Sequence, residues 1–294
     1  MEILQKESLS RYSNLRIGGD AEHFCIPESE QEILDAVGFA REKGFPIMAF
    51  GGGSNIAFDS KGIQGLVMKI STDNISIDTE NGTIVAASGT SLAKLVKCLA
   101  ESGFDASNFA GVPGTVGGAV VNNTGRNNAQ ISNHVVGAKV LDPSSGITDV
   151  GHSFFGYDYR SSKLKHEHSH IVLSVALQFV AGDIVEIREK VRYIVGSRAK
   201  RQPTGMTLGS TFKNPATEVN AWQLIQDAGL AGYTTNGLRI SDTHCNWILN
   251  EGGADTSSEA LREFIEKIRN VVSERTGYLL EPEIQIISSK RTSI

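Results

Sequence analysis

The chain has 294 residues, of which 40% are hydrophobic and 21% charged, with a formal net charge of −5. That length suits about two domains, and the composition excludes wholesale disorder. A mildly acidic chain has no general attraction for nucleic acid or anionic lipid, so any binding of that kind must be local.

Residues 29–43 read as a helix. Ser29 and Glu32 form a capping box, Ile33, Ala36, Val37 and Ala40 recur at helical spacing, and Gly44 stands where a C-terminal cap belongs. Strands are predicted at 46–50 and 65–70, a β-α-β style opening, with Gly51-Gly52-Gly53-Ser54-Asn55 after the first. Asn81-Gly82 between 75–80 and 83–88 predicts a hairpin with a two-residue turn. A second amphipathic helix covers 91–101, with Leu92, Leu95, Val96 and Leu99 on one face. The glycine-rich stretch 111–125 then interrupts the pattern and reads as neither helix nor strand.

Strands return at 135–142 and 171–180. The charged helix 185–201, with polar flanks and Pro203 behind it, suggests a domain boundary. Beyond it come a loop at 205–215, a short helix at 221–228 and strands at 238–240 and 247–249. A long helix follows, capped by Thr256 and Glu259, striped by Leu261, Phe264, Ile265, Ile268, Val271 and Val272, and ended by Gly277; the last strand is 283–287. Helices and strands alternate throughout, so the class is α/β or α+β.

Cys25, Cys98 and Cys245 lie far apart with no C-x-x-C, against a disulfide framework or cysteine-built zinc site and in keeping with a reducing compartment. Met1–Lys6 lacks a basic region followed by an apolar run, and the apolar stretch 171–181 is broken by Ser174 and Gln178. The expectation is a soluble, cytoplasmic protein without membrane insertion.

Six segments can carry chemistry. Gly51–Asn55 offers backbone N–H groups free of Cβ obstruction, suited to a phosphate or to a ligand-free turn alike. Gly111-Val112-Pro113-Gly114-Thr115-Val116-Gly117-Gly118 suits close packing on a flat ligand or a buried crossing point. Tyr159-Arg160 presents either an anion clamp or a surface arginine stacked on tyrosine. Gly209-Ser210-Thr211-Phe212-Lys213-Asn214 sets a hydroxyl near a cation or forms a plain turn. Glu283 opens an apolar strand, where a carboxylate is paired, used or simply at the exposed strand end. His166, His168 and His170 share one face of an extended chain, a spacing that suits a metal or merely a polar loop; with no further ligand pattern, no metal site is assigned.

Arg16–Ala21, Gly51–Asn55, Gly111–Gly118, Tyr159–Ser162, Gly209–Pro215 and Leu280–Ile284, in this order, resemble the UDP-N-acetylenolpyruvoylglucosamine reductase (MurB) family over about residues 14–287. The resemblance implies an α+β fold: a vanillyl-alcohol-oxidase-type (PCMH-like) FAD-binding region over 1–184, in two lobes of about 1–70 and 71–184, then an α/β substrate-binding domain over 185–294. It implies FAD as cofactor, NADPH as co-substrate and a UDP-sugar as substrate, in a monomer or weak oligomer with no nucleic-acid partner. It places the catalytic arginine, serine and glutamate on Arg160, Ser210 and Glu283. Gly51, Gly52, Gly53, Ser54 and Asn55 would hold the FAD pyrophosphate, while Gly111, Pro113, Gly114, Thr115, Gly117 and Gly118 line the flavin. Tyr159, Lys213, Asn214 and Arg239 fall at substrate contacts.

No room exists for the insertion of the longer subgroup, so the shorter one is resembled. Asn123–Ala129 departs from the family's Asn-Ala-Gly-Ala-Tyr-Gly-Gly, with Asn127 in the loop, and the bulky Arg126 and the missing aromatic are expected to alter the flavin edge or the subunit surface. Two alternatives accompany this reading: a flavin oxidase of the same architecture, and a nucleotide-sugar-binding protein without turnover.

Overall fold

The computed structural model describes residues 1–126, 129–167 and 170–288. The chain opens with β1 (Leu4–Ser8), β2 (Asp20–Cys25), α1 (Glu30–Lys43), β3 (Ile47–Phe50), β4 (Ile56–Phe58) and β5 (Ile63–Lys69). Ser29 caps α1 by accepting from the Glu32 N–H, and Gly44 ends it at φ 68°. Four strands form a sheet in the order β1-β2-β5-β3, with β5 parallel to both β2 and β3. Ile33, Ala36, Val37 and Ala40 of α1 bury against Leu66, Met68 and Ile70. The same cluster takes in Leu141, Ile171 and Leu173, so the two N-terminal lobes share a core.

The second lobe contains β6 (Ile75–Asp78), β7 (Thr83–Ala87), α2 (Leu92–Glu101), α3 (Val116–Asn122), β8 (Gly125–Arg126), β9 (Ala129–Gln130), β10 (Val135–Asp142), β11 (Gly146–Gly151), α4 (Lys163–Glu167) and β12 (Ile171–Gln178). Five strands pair antiparallel in the order β11-β10-β12-β7-β6. Asp78 opposes Thr83, so β6 and β7 are joined by four residues rather than by the expected two-residue turn. The reason is Asp78, whose carboxylate takes the N–H groups of Glu80 and Asn81 and the Asn81 side-chain amide.

The stretch 111–125 also departs from expectation, because it contains α3. Thr115 caps that helix by accepting from the Gly118 N–H, and Asn123 closes it in a left-handed conformation at φ 47°. Glycine at 117 weakens helix propensity, yet a Cβ there would lie 2.8 Å from Ser88 Cβ.

Helix α5 (Ile184–Arg201) lies against α2, with Val191 and Ile194 packed on the second lobe's core. The chain ends with α6 (Ala221–Asp227), β13 (Thr234–Thr235), β14 (Leu238–Ile240), β15 (Ile248–Asn250), α7 (Ser258–Thr276) and β16 (Gln285–Ile287). The apolar stripe of α7 packs with Leu224, Ile225, Leu238 and Ile248, and also with Leu15, Ile17 and Ala57 from the N-terminal lobe. Strand β16 then pairs parallel with β4. Among the described residues, no helix is long and apolar enough to cross a membrane.

The cap of α7 is Ser257, not Thr256: Ser257 Oγ accepts from the Ala260 N–H at 3.1 Å. Thr256 turns inward and donates to Asn250 Oδ1 at 2.7 Å, while Asn250 Nδ2 donates to the Leu15 carbonyl at 2.8 Å. Ser257→Ala should therefore cost about 1 kcal/mol of stability in urea titration. Thr256→Val should cost about 1–3 kcal/mol, because it strands a buried amide oxygen.

Candidate active site

A cleft lies where the two N-terminal lobes and β16 meet. Gly51–Asn55, Pro113, Gly114, Thr115, Gly117 and Gly118 line it, with Val121, Asn122, His170, Ile171, Gln285 and Ile287. A Cβ on Gly51 would overlap Thr115 Oγ1, and one on Gly52 would come within 3.0 Å of Gly114 Cα. The glycines therefore let two loops close on each other. Among the described residues, the N–H groups of Gly51, Gly52, Gly53, Ser54 and Asn55 donate no hydrogen bond within the chain. Among the described residues, no Asp or Glu lines the cleft. Five unspent donors with no opposing carboxylate fit a diphosphate, and Phe50, Val121, Ile171 and Val172 lend apolar wall for a planar ring.

Gly111 is the one expected cofactor residue that the cleft excludes. It sits at φ 72°, where a Cβ would meet Arg198 Cδ at 3.0 Å. Glycine is needed there for backbone conformation and for its contact with α5, not for the cleft.

The side chains expected to carry the chemistry, Arg160, Ser210 and Glu283, belong to segments that meet beside this cleft. Arg160 occupies a turn closed by reciprocal 3.1 Å bonds between Asp158 and Ser161, and its backbone is left-handed at φ 55°. Its Nε lies 3.3 Å from Glu283 Oε1, and its terminal nitrogen donates to the Gly125 carbonyl at 2.5 Å. The Tyr159 ring lies 5.4 Å from the guanidinium carbon. Glu283 reaches Arg160 because its N–H donates to the Thr211 carbonyl at 2.8 Å, while Lys213 N–H donates to Glu281 O at 2.9 Å. This short ladder sets the Ser210–Lys213 segment alongside Glu281–Glu283. Asn246 braces it: its carbonyl accepts from Thr211 N–H at 2.7 Å, and its side chain exchanges bonds of 2.9 and 2.8 Å with Phe212. Ser210 bridges to Trp247, and its hydroxyl makes no hydrogen bond among the described residues.

Asn55 joins the cluster to the cleft. Its amide donates to the Glu283 carbonyl and to Asn122 Oδ1, both at 3.2 Å, and its own carbonyl accepts from Gln285 N–H at 3.0 Å. Lys165 donates to the carbonyls of Arg160 and Glu283 at 3.1 and 3.2 Å. Burial pushes the Glu283 carboxyl above the ordinary glutamate range, while Arg160, Lys165 and Lys213 pull it back. Burial likewise depresses the Lys165 amine, opposed by Glu283 and Glu281. Lys213 pairs with Glu281 at 2.6 Å.

Two expected substrate contacts serve other bonds. Asn214 Oδ1 accepts from Ala221 N–H at 3.0 Å and Nδ2 reaches Asn220 at 3.4 Å, so this side chain starts α6. Arg239, half-buried on β14 between the buried Leu238 and Ile240, is held by Glu251 at 2.6 Å and Asp242 at 2.7 Å. His166 bonds Ser161 Oγ at 2.7 Å and His170 lines the cleft, whereas His168 lies outside the described residues, as do Asn127 and Asn128. Among the described residues, no three His, Cys, Asp or Glu side chains gather as metal ligands. Lys165, Asn246 and the stitching role of Asn55 were not legible beforehand. Lys165 reads as one more basic residue in a charged run, and Asn246 has no motif around it.

The FAD binding domain family matches residues 21–151, and the UDP-N-acetylenolpyruvoylglucosamine reductase C-terminal domain family matches residues 201–287. A UDP-N-acetylenolpyruvoylglucosamine reductase of Caldanaerobacter subterraneus subsp. tengcongensis is 34% identical over 291 residues, covering 98% of this chain and 95% of its own. The chain belongs to the UDP-N-acetylenolpyruvoylglucosamine reductase (MurB) family. A MurB relative in Rubrobacter xylanophilus is 34% identical over 96% of this chain and 94% of its own. The crystal structure of the MurB of Thermus caldophilus superposes with a TM-score of 0.78 at 26% identity, covering 97% of this chain and 98% of that one.

The cleft's donors and walls thus fit FAD in a MurB fold. Gly51→Ala should force the Gly114–Thr115 loop away and lower the flavin content of the purified protein. Gly38→Ala, where nothing lies within 4 Å of the added carbon, should leave it unchanged. Visible absorbance per protein measures both.

Proposed function

We infer that this protein is an FAD-dependent, NADPH-driven reductase that converts UDP-N-acetylglucosamine enolpyruvate to UDP-N-acetylmuramate, a step of peptidoglycan precursor synthesis in the cytoplasm. The observation that carries it is the stitching of the Arg160–Glu283 pair to the cleft loop by Asn55, in a chain with near-full-length reductase relatives. In this reading residues 1–184 hold the cofactor, and the chain beyond α5 brings Ser210 and Glu283 to it. The oxidase alternative is not favoured, since these relatives are reductases along nearly their whole length.

Bound FAD supplies a hydride once NADPH has reduced it. Gly51–Asn55 would hold the cofactor's diphosphate through unspent N–H groups. Arg160 faces the substrate carboxylate, where negative charge develops as an enediolate when the double bond accepts hydride at its terminal carbon. A guanidinium held in advance by Glu283 and the Gly125 carbonyl stabilises that charge without reorganising. Ser210 then delivers a proton to the carbon bearing the ether oxygen. A hydroxyl is a weak acid, so it needs a cationic, enclosed setting; Arg160, Lys165 and Lys213 supply the charge. Tyr159 packs beside the guanidinium, and Lys213, paired with Glu281, is the further substrate contact of this reading.

The test is anaerobic. NADPH should bleach the flavin, and the enolpyruvyl sugar nucleotide should restore its colour. Ser210→Ala should leave bleaching intact and slow recovery by about 10²–10⁴-fold; recovery at the unaltered rate refutes the serine's role. Recovery should also fail as pH drops through the raised Glu283 pKa, because protonation dissolves its ion pair with Arg160. In Glu283→Gln that acidic limb should disappear from the pH profile.

A further inference from the structure

Lys165 is the only buried lysine or arginine among the described residues, with 7% of its surface exposed. A buried ammonium is costly unless its protons are taken up. Here two of them go to main-chain carbonyls, those of Arg160 at 3.1 Å and of Glu283 at 3.2 Å. These carbonyls belong to the two partners of the ion pair, which come from distant parts of the chain. The Arg160 backbone is left-handed, a conformation that a residue with a side chain adopts only where its surroundings hold it. The Asp158–Ser161 turn and the ammonium on the Arg160 carbonyl supply that hold together. Its own position is fixed from two sides: Lys165 N–H donates to the Ser162 carbonyl at 3.1 Å, and Ser162 Oγ donates to Val121 of α3 at 2.7 Å.

We propose that Lys165 is a positioning residue of the reductase, clamping the main chain of Arg160 to that of Glu283 so that the guanidinium meets the substrate carboxylate already aligned. The inference rests on the reaction assigned above. It places Lys165 in the oxidative half-reaction and outside the reduction of flavin by NADPH. The charges that face this centre are Arg160, Lys213, Glu281 and Glu283. With Lys165 they make three cations against two carboxylates, leaving one positive charge for the substrate's carboxylate. Without it the centre is neutral.

Lys165→Met keeps most of the side chain's length and flexibility and removes both its donors and its charge. The expected protein retains its flavin and is bleached by NADPH within about twofold of the normal rate. Recovery on the enolpyruvyl substrate should fall about 100-fold, the scale of a misaligned catalytic group, at saturating substrate rather than through KM. The acidic limb of recovery should also move to higher pH, since one cation no longer opposes the burial of Glu283. Lys165→Arg keeps the charge but not the two contacts cut for an ammonium, so it should slow recovery and leave the limb in place. Recovery of Lys165→Met within threefold of normal, or an equal fall in both half-reactions, overturns the proposal. Should Lys165→Met lose its flavin, Lys165→Arg decides: slowed recovery with an unmoved limb supports the clamp, and a normal rate refutes it. If the unaltered protein itself fails to recover on the enolpyruvyl substrate, the assigned reaction is at fault rather than the role of Lys165.

Discussion

The site depends on the pairing of β16 with β4. Three residues, Gln285–Ile287, lie parallel to Ile56–Phe58, and the N–H of Gln285 donates to the carbonyl of Asn55. That contact brings the end of the chain back beside the loop that lines the cofactor cleft. Two residues upstream of the paired segment, Glu283 is delivered to Arg160. A parallel pair this short is weak by itself. It is secured by the core beneath it, where Leu15, Ile17 and Ala57 pack with Phe264, Ile268 and Ile284, and by the Asn55 amide that bonds both Glu283 and Asn122.

The electrostatics follow from that delivery. A carboxylate carried into a half-closed site loses water and is driven toward its neutral form. Arg160, Lys165 and Lys213 oppose this, and their own desolvation is compensated by Glu283, Glu281 and main-chain carbonyls. Removing one member leaves a buried charge without its counterpart. Such mutual dependence suits catalysis, where the charge must be in place before the substrate's own charge develops. Ser210, on the segment laddered to Glu281–Glu283, has a hydroxyl that makes no hydrogen bond among the described residues.

The glycines illustrate how a correct local reading can rest on a different physical cause. In the sequence, Gly51–Gly53 and Gly111–Gly118 suggest backbone approaching a ligand. In the fold, Gly51 and Gly52 make room for Thr115 and Gly114, and Gly117 for Ser88. Among the described residues the N–H groups of Gly51–Asn55 donate to no group of the chain, because the loop closes on its neighbour by packing rather than through its own amides. Gly111 shares the composition of its run but faces Arg198 outside the cleft. Composition alone does not distinguish the two situations.

Local elements were legible where the deciding interaction is short in sequence. Ser29 and Gly44 bound α1, and the apolar periodicity of α7 and the strand at 135–142 follow from neighbours a few residues apart. The ordered motifs around Arg160, Ser210 and Glu283 were likewise sufficient to point to the family. Distance decided the rest. Whether Thr256 or Ser257 caps α7 depends on Asn250, and whether 111–125 holds a helix depends on Ser88 and the cap geometry of Thr115. Asn214 and Arg239 were drawn into local bonds with Ala221, Glu251 and Asp242. Lys165 acquired its place only when residues 160 and 283 met. The sequence by itself determined the long amphipathic helices, the motif order and hence the family; the tertiary structure decided which polar groups are desolvated together, because burial and pairing belong to the folded neighbourhood and not to any one segment.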